Sequence, residues 1–407
     1  MMTRASVTRK ASSGTGSDDL SDAVQMVMQL MAIPGRSGEE GQVADYIRRQ
    51  LLDAGVDPAS LVVDAAHQRT PIRGQTGNVI LKLPGTQRGP RLMLSAHMDT
   101  VPICVGSQPQ RQGDLVRSQN PDTGLGADDR AGVAVLLYTA TKLLRGGCDH
   151  PPLTFCWFIQ EEIGLHGSRC VQKGLLGRPK MAFNWDGGAP HKLTIGATGG
   201  YRMAIEVRGI ASHAGGAPEW GVSAITIASL AIAQLYRGGW LGDVRKGRKR
   251  GTSNVGVIQG GDATNVVTDR VVLKAEARSH DPVFRQQIIE AIQSAFQQAA
   301  TRVKNVAGSQ GRVQIDGNLD YEAFRLPEDH PCVQLAAAAV RGAGFEPETV
   351  IANGGLDANW LMEHGIPTVS LGCGQLNQHM TSEALDVIAF QNACRIAMKI
   401  ATGDPSA

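Results

Sequence analysis

Apolar residues recur at helical spacing twice near the start of the chain, at Val24, Val27, Met28, Leu30 and Met31 and again across residues 40–54. Each stretch buries one face, so both predict amphipathic surface helices. Short, wholly apolar runs follow at 92–95, 153–159, 181–183 and 368–371, and each ends in polar residues. Runs of this length without a polar face suit strands covered on both sides. Helix-like segments such as 131–144 lie between them, so the alternation predicts an α/β core built on a largely parallel sheet.

The middle of the chain has a different rhythm. Residues 201–208 alternate like a half-buried strand, 223–235 read as a helix, 253–259 and 270–277 as strands, 282–303 as a second helix and 312–316 as a last strand. The order βαββαβ describes a small ferredoxin-like sandwich inserted into the larger domain. The expected division is a disordered tail at 1–20, a core domain formed by 21–197 and 323–407, and an inserted domain at 198–322. A length of 407 residues agrees with two domains, each large enough for its own apolar interior.

Forty basic and thirty-eight acidic residues leave a formal charge of +2, and 42% of the chain is hydrophobic. That balance points to neither a nucleic-acid nor a membrane partner. The basic run RKGRKR at 245–250 has no matching basic face or interleaved aromatics, so it reads as a solvated loop rather than an anion-binding patch. Seven cysteines, odd in number and without a CxxC pair, suit reduced thiols in the cytoplasm. The first twenty residues lack an apolar segment of the kind a secretory signal needs, and no apolar run reaches the length of a membrane span.

Candidate chemistry lies where the apolar runs end. The first leads into Ser95-Ala96-His97-Met98-Asp99, and period-two alternation points His97 and Asp99 the same way, as a carboxylate that fixes the tautomer of a metal-binding histidine would require. A structural histidine gives the same local pattern. Asp128 and Asp129 precede an apolar helix, where an acid can cap the helix or bridge two cations. Glu161 and Glu162 follow the run at 153–159, Asp186 follows the run at 181–183, and His379 follows the run at 368–371. Any one of these could be a solvated strand end. Ligands of open α/β sheets, however, gather outside the carboxyl ends of strands. Four such ends carrying imidazole or carboxylate match the donor set of a zinc pair. Charge agrees, because two Zn²⁺ balance Asp128, Glu162, Asp186 and one hydroxide.

At these residues the sequence resembles the di-zinc metallopeptidase family that includes peptidase T, carboxypeptidase G and succinyl-diaminopimelate desuccinylase. The resemblance is carried, in family order, by SAHMDTVP, GADDRAGVAVLL, QEEIGLHGS, NWDGG, IASHAGGAPEWGVSAI, GGDATNVV, GGLDANWL and NQHMTSEAL. It implies that Asp128 bridges two metals, with His97 and Asp186 completing one site and Glu162 and His379 the other. It also implies Glu161 as general base, Asp99 as the orienter of His97, a cis peptide between Asp128 and Asp129, and a lid and dimerisation role for the inserted domain.

By the same resemblance His213 reaches the active site of a neighbouring subunit, and Asn265, Arg278, Gly355 and Asp357 contact substrate. Without it, His213 is an ordinary loop histidine and Arg278 a surface ion-pair partner. Peptidase T has arginine where this chain has Asn353. The expected activity is two-metal hydrolysis of amides in short peptides by a cytoplasmic homodimer, with zinc, cobalt or manganese as the ion. An N-acyl amino acid deacylase or carboxypeptidase-type amidohydrolase is the alternative.

Overall fold

A strand with no polar face is stable only where both of its faces are covered, since each fully buried large apolar side chain contributes roughly 1.5–3 kcal/mol. The four apolar runs accordingly take the middle of a nine-stranded sheet in a computed structural model that describes residues 18–403. Leu153–Phe158, Leu92–His97, Met181–Trp185 and Thr368–Leu371 lie side by side in that order, all parallel. Their side chains alternate between two cores. Leu92, Leu94, Ala96, Phe155 and Trp157 face the larger cluster, while Met93, Cys156 and Phe158 face the smaller one.

Antiparallel strands flank this parallel centre. Val79–Leu83 and then Leu61–Val63 extend one side. Lys192–Ala197 extends the other and pairs in turn with Phe324–Arg325 and Glu348–Ala352. A separate four-stranded sheet, formed by Pro109–Gln112, Leu115–Ser118, Gln375–Leu376 and Ala384–Asp386, has no counterpart in the sequence reading. It ties the loop carrying His379 and Glu383 to the segment before Asp128.

The expected tail lies outside the described residues up to position 17, and its last three positions belong to the Asp18–Ala32 helix. All seven cysteines are unpaired. Among the described residues no helix is long and apolar enough to cross a membrane.

The inserted domain carries one antiparallel sheet in the order Gly242–Lys246, Lys249–Gly260, Arg270–Ser279, Gly199–Arg208, Arg312–Tyr321. The Ala224–Arg237 and Pro282–Arg302 helices pack on its inner face. The βαββαβ order is present with one extra strand, and the basic run 245–250 is where the expectation needs correcting. It forms a hairpin, with Arg245 opposite Arg250 and Lys246 opposite Lys249. The turn passes through Gly247, whose φ of 61° is the left-handed conformation that tight hairpin turns use. Its charges are spread over local partners: Arg245 donates to Asp243 at 2.7 Å, and Lys246 stands 4.6 Å from the Trp240 ring.

Candidate functional site

Because the four central strands are parallel, their carboxyl ends open at one edge of the sheet. His97 ends its strand there and is 1% exposed. Its Nδ1 lies 3.1 Å from the Asp99 backbone oxygen and 3.3 Å from Asp99 Oδ1, and its Nε2 lies 3.2 Å from Asp128 Oδ1. Asp99 has a second task. Its carboxylate accepts the backbone N–H groups of Glu161 at 2.9 Å and Glu162 at 3.2 Å, and the Ser37 hydroxyl at 2.7 Å. One buried carboxylate therefore fixes both His97 and the turn that presents the two glutamates.

Asp128 opens the helix at the front of the site, and the Asp128–Asp129 peptide is cis. The Asp128 N–H donates to Glu383 Oε1 at 3.0 Å, and the Gly126 N–H donates to Glu383 Oε2 at 2.7 Å. Across the cleft, His379 Nε2 lies 3.0 Å from Glu162 Oε1 and 3.3 Å from Asp128 Oδ2. Asp128, Glu161, Glu162, Asp186 and His379 line one cavity of about 300 Å³, with His97 beneath it.

This donor set fits a pair of divalent cations. Donor atoms of His97, Asp128 and Glu162 lie within 4.8 Å of one another, as do those of Asp128, Asp129 and Asp186, so Asp128 belongs to both groups. The oxygens of Asp129 are already engaged. Oδ2 accepts the His97 N–H at 3.1 Å, and Oδ1 accepts Gly132 N–H at 3.0 Å and Gln375 Nε2 at 2.8 Å. That leaves Asp129 as a support for the cluster and Asp186 as the available donor. So many buried carboxylates cannot all remain charged without cations. Where no cation is bound, protons would have to do that work. Burial and then Asp128 push Asp186 up to about 8, and burial holds Glu161 well above the ordinary carboxylate range despite His97. Hydrogen bonds that His379 donates to Asp128 and Glu162 hold its imidazole up at about 10.

The inserted domain contributes Arg202, Arg278 and Tyr321 to the same cavity, and the core domain contributes Gly354, Gly355 and Leu356. Arg278 reaches it while bound to Glu276 through two hydrogen bonds at 3.0 and 2.9 Å. Asn353, just outside, accepts through its Oδ1 from His280 Nε2 of the inserted domain at 3.1 Å. A Cβ at Gly355 would sit 2.4 Å from Tyr321 Cζ, so glycine is what lets that ring close the cavity wall. Gly355→Ala is expected to lower kcat/KM about tenfold by displacing the ring, at an overpacking cost of about 1–3 kcal/mol, with metal content unchanged. Steady-state kinetics beside elemental analysis checks this.

Three expected site residues, the substrate contacts Asp357 and Asn265 and the histidine His213, lie elsewhere. Asp357 is 1% exposed at the start of the Asp357–Glu363 helix and does not line the cavity; burial pushes its carboxyl up to about 7, and it lies near enough to raise Glu161 in turn. A direct substrate contact does not suit that position, because the chain buries the group before substrate can reach it. His213 and Asn265 sit together on an exposed side of the inserted domain. The Ala214 N–H donates to the Asn265 oxygen at 2.9 Å, and neither side chain lines the cavity of its own chain.

The sequence reading did not single out Arg202, Tyr321 or Glu383. Glu383 stood within a quoted motif, four residues after His379, but its bond to the backbone before Asp128 spans the chain and has no local signature. Tyr321 ends an edge strand and carries no motif at all.

The profile of peptidase family M20/M25/M40 matches residues 93–402. An uncharacterized protein YqjE of Bacillus subtilis (strain 168) is 30% identical over 362 residues, covering 88% of this chain and 92% of that one. The structure of a tripeptidase from Staphylococcus aureus superposes with a TM-score of 0.84 at 26% identity, covering 95% of this chain and 99% of the other. Aminopeptidase PepT from Bacillus cereus ATCC 10987 gives a TM-score of 0.80 at 29% identity, covering 94% and 98%. With its mixed sheet, its inserted domain and its cluster of histidine and carboxylate donors, the chain belongs to peptidase family M20/M25/M40 and is a hydrolase of that family.

Proposed function

We propose that the protein is a two-metal exopeptidase that removes residues from short peptides, in the manner of an aminopeptidase or tripeptidase. The observation that carries this reading is the convergence of Glu161, the candidate metal donors and two lid guanidinium groups, Arg202 and Arg278, on one cavity. His97 and Asp186 would hold one ion, Glu162 and His379 the other, and Asp128 both. A bound zinc pair, or cobalt or manganese in its place, would supply Lewis acidity and lower the pKa of water to about 7.

Glu161 takes the proton from the attacking water and later delivers it to the leaving amine. Its raised basicity in a buried setting suits a base working near neutral pH. Arg278 holds the substrate carboxylate by exchanging its two bonds from Glu276 to the ligand, since a guanidinium matches a carboxylate bidentately. Asn353 in place of arginine leaves the cavity with two lid cations, so peptide length need not be read as strictly as in a dedicated tripeptidase.

His213 acts in a second copy of the chain, stabilising the oxyanion there, and the lid is the dimer contact. Removing an oxyanion donor costs about 10²–10³-fold, so each of His213→Ala and Glu161→Gln is expected to be nearly inactive alone. Mixed after subunit exchange, they should recover activity through hybrid dimers with one intact site. Exchange without recovery sinks the shared-site reading. Tripeptides assayed beside N-acetyl amino acids test the substrate class: turnover of the acetylated compounds alone would replace the peptidase reading by the deacylase one. The unpaired cysteines suit the reducing interior of a cell.

A further inference from the structure

A second cavity, of about 480 Å³, adjoins the first, and Glu162 lines both. Its polar groups are already paired. Arg36 and Glu39 form an exposed ion pair at 2.7 Å, and the Ser37 hydroxyl is donated to Asp99. What remains facing the space is apolar: Ile72, Val101, Pro102 and Ile163. Ile72 is 53% exposed. It lies over Gly38, where a Cβ would come within 2.8 Å of its Cδ1, so the glycine leaves room for that side chain to stay at the wall. A half-exposed isoleucine held against other apolar groups, beside the candidate metal centre and with its polar neighbours mutually satisfied, has the make-up of a ligand subsite rather than of ordinary surface.

The two cavities differ in chemistry in a way that orients a substrate. The first carries two guanidinium groups, Arg202 paired with Asp320 at 2.6 Å and Arg278 paired with Glu276, and takes the carboxylate end when they exchange those partners for it. The second carries one guanidinium, Arg36, closed off by Glu39 at its exposed rim, and begins on the other side of the Glu162–Ile163 segment. The Ile163 carbonyl is held from the first cavity by Arg202 at 3.4 Å, which fixes this dividing wall from the lid.

We infer that the cavity bounded by Ile72, Val101, Pro102 and Ile163 is the specificity subsite for an apolar side chain on the acyl side of the scissile amide. The preferred substrates are then short peptides whose first residue is leucine-like and whose far end is a free carboxylate. The inference rests on the peptidase reading given above and adds the residue class that the reading leaves open.

The zinc-loaded full-length protein tests it with Leu-Gly-Gly, Lys-Gly-Gly and Gly-Gly-Gly. A hydrophobic pocket discriminates by tenfold or more for each missing methylene at best, so Leu-Gly-Gly is expected to exceed Gly-Gly-Gly by at least about tenfold in kcat/KM. Ile72→Glu should shift the Leu-to-Lys ratio by about tenfold toward Lys-Gly-Gly. Calorimetric binding of the same peptides to zinc-loaded Glu161→Gln protein, alone and combined with Ile72→Glu, should show the same order in Kd. Equal kcat/KM for all three peptides in both proteins overturns the subsite while leaving the peptidase reading in place. No cleavage of any peptide overturns the peptidase reading instead, and the calorimetric order then decides the subsite by itself.

Discussion

Replacing Glu161 by Gln should lower kcat by about 10²–10⁴-fold, the range a positioned general base supplies, while metal content stays at the wild-type value. The amide is nearly isosteric with the carboxylate and cannot accept the proton. Nothing that shapes the site passes through the Glu161 side chain. Its place is set by its own N–H, held by Asp99 at 2.9 Å, and its Oε2 stands 4.0 Å from His97 Nε2, outside hydrogen-bonding range. Glu162, one residue on, lies 3.0 Å from His379 and belongs to the donor cluster. Glu162→Gln should therefore lose metal as well as activity. Elemental analysis with a peptide-cleavage assay separates the two, and a fully active Glu161→Gln protein would remove the residue from the mechanism.

The adjacent glutamates illustrate what the sequence can carry. Their shared location at the end of a buried strand was legible, because the run at 153–159 is too apolar to be anything but a central strand and two acids follow it at once. Strand ends likewise marked His97, Asp186 and His379, and a pair of acids before an apolar helix marked Asp128; Asp128, Asp186 and His379 line one cavity, and His97 lies beneath it, 3.2 Å from Asp128. Parallel central strands explain that success, since parallel order sends every carboxyl end to the same edge.

The residues that were missed depend on pairings between positions far apart in the chain, 257 residues in the case of Glu383 and Gly126. Glu383 acts on the backbone at Gly126 and Asp128, and Tyr321 matters because Gly200 and Gly355 leave room for its ring. Polar strands were equally opaque. Pro109–Gln112 and Gly242–Lys246 are held by hairpin pairing rather than by apolar faces, so no periodicity marked them. Asp357 marks the opposite limit: a motif position by resemblance, it lies buried where side-chain burial alone, invisible in one sequence, decides what it can touch.

Zinc should raise the melting temperature more at pH 8 than at pH 6, because the metal-free site loses stability as pH rises. Asp186 is pushed up to about 8 by burial and by Asp128. A carboxyl with a raised folded pKa keeps its full contribution below its ordinary range and loses it progressively as pH climbs toward that value. His379, held up at about 10 by Asp128 and Glu162, contributes fully below the usual imidazole range and loses that contribution as pH rises through about 10. Both losses run in the same direction between pH 6 and 8. Asp128, kept well below its usual value by its two histidines against the effect of burial, is ionised throughout that window and changes nothing there.

Cations favour the deprotonated forms of Asp186 and His379, so binding releases protons and tightens as pH increases. At free zinc about a thousandfold above Kd, binding contributes about 4 kcal/mol. At about 2 °C per kcal/mol for a domain of this size, that corresponds to a rise of about 8 °C. Differential scanning calorimetry with and without zinc at the two pH values measures the difference, and a weakly buffered indicator dye reports the released protons. A zinc-induced shift that is larger at pH 6 than at pH 8 would mean that the protonated carboxyl and imidazole groups of this cavity are not the positions the cations take.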